Sequence, residues 1–264
     1  MNVIAVADPD DERLSDFRAV SDPDLALRHG FFIAEGRLVV RRLLAESPFS
    51  TRAVLATSSA MKTLDDVLPH KPDVPVYLVS QDLMERVAGF NIHRGCLASG
   101  DRPRKADWRA VIADARRVVV LERVGDADNV GAIFRSAAAF DADAILLGPA
   151  SADPLYRKAI RTSMGAALTL RFADADPWPG TLSTLAAAGW SVAALTPAAD
   201  AMPLRTFASA ERSQRVALVV GHEGTGLTSE ALAACNHRVR IPIRPSVDSL
   251  NVATASAVAL YELS

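Results

Sequence analysis

Apolar and polar positions alternate along the first hundred residues in blocks that predict short strands and helices. The segment 35–46 carries apolar residues at helical spacing, and Gln81–Ala88 predicts a second, shorter helix. Apolar runs of strand length occupy Arg52–Thr57, Val76–Ser80 and Gly95–Ala98. We interpret this part of the chain as a small α/β domain.

The rest of the chain alternates more regularly between apolar strands and helices. The predicted elements are Arg117–Leu121, Val130–Phe140, Ala144–Leu147, Pro154–Met164, Leu168–Phe172, Leu182–Ala188, Trp190–Leu195, Val216–Val220, Ser229–Cys235, Val239–Ile243 and Val252–Leu263. Apolar strands separated by helices are typical of a mainly parallel sheet that helices cover on both faces. Such sheets bind ligands beyond the carboxyl ends of their strands, which predicts a site at the turns after Leu121, Val220 and Ile243.

These patterns divide the chain into four parts. We expect an N-terminal extension over 1–20, a domain over 21–100, a linker over 101–114 and a C-terminal domain over 115–264. The linker is placed at the polar and basic stretch GDRPRKAD, which starts at residue 100 and shows no apolar periodicity.

Net charge limits how the protein could bind a polyanion. The 264 residues carry a formal net charge of −2, so contact with RNA requires local basic clusters. The candidates are Arg37, Arg41 and Arg42 on one helix, Arg102, Arg104 and Lys105 in the linker, and Arg157, Lys158 and Arg161 near the predicted site. Each cluster is equally compatible with a solvated helix face.

The cysteines and the chain start predict an ordinary reducing environment. Cys96 and Cys235 lie far apart without a C-x-x-C partner, so they indicate neither a zinc site nor a disulfide framework. The chain start lacks the basic region of a signal peptide, and no apolar run approaches the ~20 residues that span a bilayer. We therefore expect a soluble, cytoplasmic protein that binds no metal.

The turn after Leu121 leads into a helix with one charged side chain. Asp128 or Asn129 is suited to cap that helix, which is the structural interpretation of either residue. Arg135 is the only charge between Asn129 and Phe140, and a guanidinium near a core needs a carboxylate or phosphate partner. A structural salt bridge and a catalytic or RNA-phosphate role both remain open for Arg135.

The turn after Val220 is rich in glycine, which lets backbone approach a ligand closely. Gly221, Gly224 and Gly226 are spaced G-x-x-G-x-G, which matches neither a P-loop nor the dinucleotide-binding fingerprint. ATP and nicotinamide are therefore disfavoured as ligands, and we interpret His222 as an exposed turn residue.

The third turn ends a strand and opens the last helix. Ser249 and Asn251 are good residues for capping that helix. The helix N-terminus also offers N–H donors and positive potential to an acceptor-rich ligand.

Together the three turns resemble the three motifs of the SpoU (TrmH-type) branch of the SPOUT RNA methyltransferases. The matching residues are Asn129-Val130-Gly131-x-Ile133-x-Arg135-Ser136-Ala137 with Phe140, then Gly221-x-Glu223-Gly224-x-Gly226-Leu227, then Ile241-Pro242 with Ser249-Leu250-Asn251-Val252. The resemblance covers about Val118 to Leu263. The N-terminal part is more loosely similar to the ribosomal-protein-like substrate-binding domain that often precedes this catalytic domain.

The resemblance implies a fold, a cofactor and an assembly. The catalytic domain is expected to be an α/β domain with a deep trefoil knot, to bind S-adenosylmethionine and to form an obligate homodimer. Backbone at Gly221, Ile241 and Leu250 is expected to surround the cofactor, with Gly221 leaving space for it. The residues at the family's catalytic and RNA-handling positions are Asn129, Arg135, Glu223, Ser249 and Asn251.

These expectations describe an S-adenosylmethionine-dependent RNA 2′-O-ribose methyltransferase that acts on ribosomal or transfer RNA. A guanidinium stays protonated at neutral pH, so we assign Arg135 to a phosphate beside the reacting hydroxyl rather than to proton removal. The alternative is a non-catalytic RNA- or ribosome-binding protein that retains the fold. Only Pro245 in place of a frequent glycine and Ala253 in place of a serine favour it. A dehydrogenase or another nucleotide-binding α/β enzyme is weakened by the missing fingerprints.

Overall fold

The computed structural model describes residues 2–18, 22, 30–89, 95–102, 104–211, 214–244 and 246–264. Contacts divide the chain into two units. The first unit is Met1–Arg104 with Pro154–Thr169, and the second is Lys105–Asp153 with Leu170–Ser264.

The elements are numbered in chain order across both units. The strands are β1 (Asn2–Ala5), β2 (Phe31–Glu35), β3 (Thr51–Ala56), β4 (Pro75–Leu78), β5 (Cys96–Asp101), β6 (Arg117–Leu121), β7 (Ala144–Leu147), β8 (Arg171–Asp174), β9 (Ser191–Leu195), β10 (Met202–Pro203), β11 (Val216–Val220) and β12 (His237–Arg240). The α-helices are α1 (Arg37–Ala45), α2 (Ser58–Met61), α3 (Gln81–Ala88), α4 (Trp108–Val111), α5 (Ala127–Ala139), α6 (Arg157–Thr162), α7 (Gly180–Ala187), α8 (Leu204–Glu211), α9 (Ser229–Ala234) and α10 (Val252–Leu263). Short 3₁₀ helices cover Glu12–Phe17, Leu68–His70 and Ala166–Leu168.

The first unit is built on a mixed sheet in the order β1-β4-β3-β5-β2. Strands β1, β4 and β3 are parallel, whereas β5 is antiparallel to both β3 and β2. Helix α3 shows how local sequence sets an element. The Ser80 side chain accepts from the Leu83 N–H at 3.2 Å to start it, and Gly89 ends it at φ 76°.

The predicted boundaries of the N-terminal extension and the linker differ from the structure. Strand β1 pairs with β4, and Leu14 and Phe17 are buried in the core of the first unit. Residues 2–17 are therefore part of the first unit. Trp108 lies in the predicted linker but is buried in the core of the second unit, and its Nε1 donates to the Asp176 carbonyl at 3.0 Å.

The segment Pro154–Thr169 also belongs to the first unit, although it follows β7 in the sequence. Helix α6 packs against β2, and the ion pairs Arg157–Asp22 and Arg161–Glu35 span 3.0 and 3.6 Å. Two residues of the basic cluster on α6, Arg157 and Arg161, therefore form ion pairs within the first unit. On α1, Arg41 likewise pairs with Asp66.

The second unit is an α/β fold on a sheet in the order β10-β12-β9-β11-β6-β7-β8, in which every pair of neighbours is parallel. The prediction of an α/β chain with a mainly parallel sheet is confirmed. Strands β6, β7 and β11 and helix α10 fall where the sequence predicts them. The strand before the third turn ends at Arg240, three residues earlier than predicted, and β10 and α8 were not predicted. The trefoil knot stays a prediction.

Burial of the central strands stabilises the second unit. All five residues of β11 are buried, as are four of the five in β6, which is the pattern expected of parallel strands that are covered on both faces. Removing one such Val or Leu side chain from water contributes about 1.5–3 kcal/mol. Among the residues that the structure describes, no helix has both the length and the apolar character needed to cross a membrane, and no group of three potential metal ligands occurs.

Both cysteine thiols should resist alkylation in the folded protein. Burial raises the pKa of Cys96 to about 12, and burial together with the nearby Glu122 carboxylate raises the pKa of Cys235 to about 12. The thiolate is the reactive form, so it stays scarce near neutral pH. Iodoacetamide at pH 8 followed by mass spectrometry should show no labelling before unfolding and two labels afterwards. Labelling of the native protein at the rate of a free thiol would contradict these pKa values.

Candidate functional site

Strand pairing brings the predicted turns to one edge of the second sheet. Leu121 at the end of β6 pairs with Val220 at the end of β11, and Leu195 at the end of β9 pairs with Val239 in β12. Because these strands are parallel, the turns that follow them emerge on the same side. The region beyond the carboxyl ends of the strands, where the site is predicted, is therefore continuous.

A cavity of about 460 Å³ opens at this edge. It is lined by Leu195, Thr196, Pro197, Val220, Gly221, His222, Glu223, Gly224, Thr225, Gly226, Leu227, Leu232, Ile241, Ile243, Asp248, Ser249, Leu250, Val252 and Ala255. The three predicted cofactor-binding residues, Gly221, Ile241 and Leu250, are all among them. The turn after β9, Leu195–Pro197, was not predicted, because its role depends on β9 lying beside both β11 and β12.

The glycine-rich turn 221–227 is held by its own backbone and by His222. The His222 Nδ1 accepts from the N–H groups of Gly224 and Thr225 at 2.9 and 3.2 Å, and the His222 carbonyl accepts from Gly226 at 2.8 Å. The imidazole is exposed and acts as an acceptor inside the turn. Its interpretation as an exposed turn residue is consistent with this geometry.

The structure gives a second reason for a glycine at position 221, beside the space for a ligand that the sequence suggested. A Cβ at this position would lie 2.6 Å from the Gly226 carbonyl carbon and 2.7 Å from the Leu227 nitrogen. Both atoms belong to backbone, which cannot move aside as a flexible side chain can. The absence of a side chain therefore closes the turn on itself, in addition to any space that it leaves for a ligand.

Three of the predicted catalytic residues form one hydrogen-bonded cluster. The Asn129 Nδ2 donates to the Glu223 Oε1. The Asn251 Nδ2 donates to the Asn129 Oδ1 at 3.0 Å and lies 3.3 Å from the same Glu223 oxygen. The cluster joins α5, the glycine-rich turn and the start of α10, which are far apart in sequence.

Capping explains one of these residues but not another. Asn251 caps α10, because its Oδ1 accepts from the N–H groups of Ala253 and Thr254 at 2.9 and 3.2 Å. Helix α5 begins at Ala127 and is capped by Asp126, whose side chain accepts from the Asp128 N–H at 2.8 Å. The interpretation of Asp128 or Asn129 as the cap was therefore wrong, and capping no longer accounts for Asn129.

Arg135 is placed differently from its sequence-based description. The side chain is exposed, whereas Ile133, Phe134 and Ala137 of the same helix are buried. Arg135 follows Asn129 by six residues, which is about 240° around the helix. Within the described part of the chain, its guanidinium makes no ion pair, and Asn129 and Glu223 bind each other instead of Arg135.

The remaining residues of the third motif act at the cavity wall. Ser249 is exposed and lines the cavity, while Asn251 is the helix cap. Ala253 contributes its backbone N–H to that cap, and any residue except proline could do so. Pro245 lies outside the described residues.

Comparison with known proteins gives a consistent family assignment. The model of the SpoU rRNA methylase family matches residues 116–261. The chain is 46% identical to an uncharacterized tRNA/rRNA methyltransferase of Mycobacterium tuberculosis, over 99% of this chain and 92% of the relative. It is 25% identical to a 23S rRNA guanosine 2′-O-methyltransferase of Bacillus subtilis, over 96% of each chain. The crystal structure of an AdoMet-bound rRNA methyltransferase from Sinorhizobium meliloti has a TM-score of 0.83 and 25% identity, and the match covers 99% of this chain and 97% of that one.

Adding one methyl group at Gly221 should damage the turn, whereas the same change at Gly224 should not. Gly221→Ala places a Cβ against backbone and should cost about 1–3 kcal/mol of unfolding free energy. A Cβ at Gly224 would first meet the His222 ring at 3.5 Å, an ordinary contact. Urea unfolding of both variants measures the difference. Equal stability of Gly221→Ala and Gly224→Ala would show that the turn does not need the close approach.

Proposed function

The chain belongs to the SpoU rRNA methylase family, and from this premise we propose that it transfers a methyl group from S-adenosylmethionine to a ribose 2′-hydroxyl of ribosomal or transfer RNA. The observation that carries the proposal is the cluster of Asn129, Glu223 and Asn251 beside the cavity. Glu223 belongs to both, so polar groups that could handle a hydroxyl adjoin a pocket for a small molecule.

The cavity fits S-adenosylmethionine in size and lining. Its volume of about 460 Å³ lies within the usual range for small-molecule sites. Apolar side chains such as Ile241 and Leu250 alternate with polar groups such as Thr196 and Ser249. When bound, the cofactor supplies a methyl group on a positively charged sulfur, which bonds to the 2′-oxygen as its bond to sulfur breaks.

We assign the ribose to the cluster. The side-chain amides of Asn129 and Asn251 both donate to the Glu223 Oε1, and these bonds hold the carboxylate in one orientation. The other oxygen, Oε2, is then left to accept from the ribose hydroxyl. Holding the hydroxyl in one orientation lowers the entropic cost of the transfer. Because Glu223 is exposed, the proton released from the hydroxyl has a route to water. Ser249, at the cavity wall, is assigned to ordering the loop beside the cofactor.

We assign an RNA phosphate to Arg135. An exposed guanidinium outside the cluster is available for bidentate binding of a phosphate. It lies on a different face of α5 from Asn129, so a second protomer is the simplest way to bring it to a site.

The homodimer is proposed to form on the surface of α5 and α10. These helices lie side by side, with Asn129 bonded to Asn251 at one end and the rings of Phe140 and Tyr261 5.7 Å apart at the other. Tyr261 is 64% exposed and Val258 39% exposed, although the Val258 side chain is apolar and that of Tyr261 is a large aromatic ring. An exposed apolar surface of this kind is typical of a protein interface.

The non-catalytic alternative makes a different prediction. A protein that retains the fold without activity would bind RNA but would not transfer methyl groups. Of the two residues that favour this alternative, Ala253 acts through its backbone and therefore removes no side-chain function.

The reaction is tested by incubating the purified protein with labelled S-adenosylmethionine and total RNA from cells that lack its gene. Nuclease digestion and nucleoside mass spectrometry should reveal a single 2′-O-methylated nucleoside. Cofactor binding without RNA labelling would favour the non-catalytic alternative, and methylation of a base would contradict the proposed acceptor.

Arg135→Ala should abolish transfer while leaving the calorimetric Kd for S-adenosylmethionine within about twofold of the wild type. The reason is that Arg135 is assigned to RNA and does not line the cavity. Arg238→Ala is the matched control, because Arg238 is another exposed arginine of the second unit and it does not line the cavity. Wild-type turnover by Arg135→Ala would refute the assignment.

Charge placed on the α5 and α10 surface should produce monomers. Val258→Glu combined with Tyr261→Glu would bury carboxylates in the proposed interface, which is unfavourable without partners. Leu38→Glu, on α1 of the first unit, is the control, because Leu38 is 57% exposed. Light scattering should give a monomer for the double variant and a dimer for Leu38→Glu. A monomeric wild type, or a dimeric double variant, would contradict the proposal.

A further inference from the structure

A buried carboxylate that no motif contains lies behind the glycine-rich turn. Glu122 directly follows β6 and is 0% exposed. Burying a carboxylate is costly unless donors surround it, and this one accepts three hydrogen bonds. The Trp178 Nε1 and the Thr228 Oγ1 donate to Oε1 at 3.0 and 2.7 Å, and the Thr228 N–H donates to Oε2 at 2.8 Å.

Glu122 binds the chain on both sides of the turn 221–227. Its backbone N–H donates to the Val220 carbonyl at 2.8 Å, and Val220 is the residue before the turn. Its carboxylate binds Thr228, which is the residue after the turn and the N-cap of α9. One residue, directly after a neighbouring strand, therefore fixes the distance between the two ends of the turn.

The turn between these ends has little freedom of its own. Gly221 is in close contact with the backbone of Gly226, and the His222 ring accepts two N–H groups within the turn. All seven residues of the turn line the cavity, and the Glu223 carboxylate accepts from Asn129 in the hydrogen-bonded cluster. A shift at either end would therefore move the cavity wall and Glu223 together.

We propose that Glu122 is a positioning residue that holds the turn 221–227 in the geometry needed to bind the cofactor and to present Glu223. This inference rests on the proposed methyltransferase function. Glu122 acts through Val220 and Thr228 and does not itself line the cavity.

The test is Glu122→Gln, which preserves size but replaces one acceptor oxygen with an N–H₂ group that faces donors. Hydrogen exchange of the ligand-free protein should be faster at the amides of residues 221–228 than in the wild type. The calorimetric Kd for S-adenosylmethionine should rise by about tenfold or more. Thr228→Val provides a second variant, because it removes the Oγ1 donor and leaves Glu122 in place.

Trp178→Phe is the matched control. It removes the third hydrogen bond to the same carboxylate but touches neither end of the turn. It should lower the Tm, as Glu122→Gln does, and leave both turn exchange and the cofactor Kd within about twofold of the wild type.

Three outcomes overturn the proposal. The first is unchanged turn exchange and unchanged Kd in folded Glu122→Gln. The second is a Kd that rises equally in Trp178→Phe, because Glu122 would then serve general stability. The third is wild-type turn exchange and a wild-type Kd in Thr228→Val, and this outcome decides the question if Glu122→Gln does not fold. Failure of the wild type to bind the cofactor would instead refute the proposed function, and the exchange measurement on ligand-free protein would still test the positioning role.

Discussion

The parallel pairing of β11 with β6 on one side and β9 on the other is the constraint on which the site depends. Backbone hydrogen bonds set this register, and the burial of all five β11 residues makes a slip costly. Because Leu121 pairs with Val220, Glu122 directly after β6 lies beside the end of β11, where its N–H donates to the Val220 carbonyl. The glycine-rich turn, the start of α5 and the cavity all follow from that alignment.

The turn 221–227 converts this alignment into a site through its backbone and two side chains, those of His222 and Glu122. Its shape comes from the close approach at Gly221, from the acceptor on His222 and from Glu122 at its two ends. Glu223 is exposed, yet its carboxylate is held by two amides. A rigid backbone that presents one oriented carboxylate suits a reaction that depends on positioning a hydroxyl.

The division into units assigns the basic residues differently from the linear sequence. In the sequence, the α6 segment comes between β7 and β8 of the second unit. In the structure it packs on β2 of the first unit, where Arg157 and Arg161 form ion pairs. Ion pairs that water can reach contribute little to stability. Arg135, which forms no ion pair within the described residues, is the stronger candidate for contact with phosphate.

The sequence by itself determined the alternating strands and helices and the three turns, because periodicity and motif spacing are local properties. Gly221, Ile241 and Leu250, which the family resemblance proposes as cofactor-binding residues, all line the cavity. Tertiary structure alone decided that Asn129 meets Asn251 and that Glu122 spans the turn. It also decided that α6 belongs to the first unit, although the strands on either side of it in the sequence belong to the second. These contacts join residues far apart in the chain, and they depend on strand order, which no local pattern of polarity encodes.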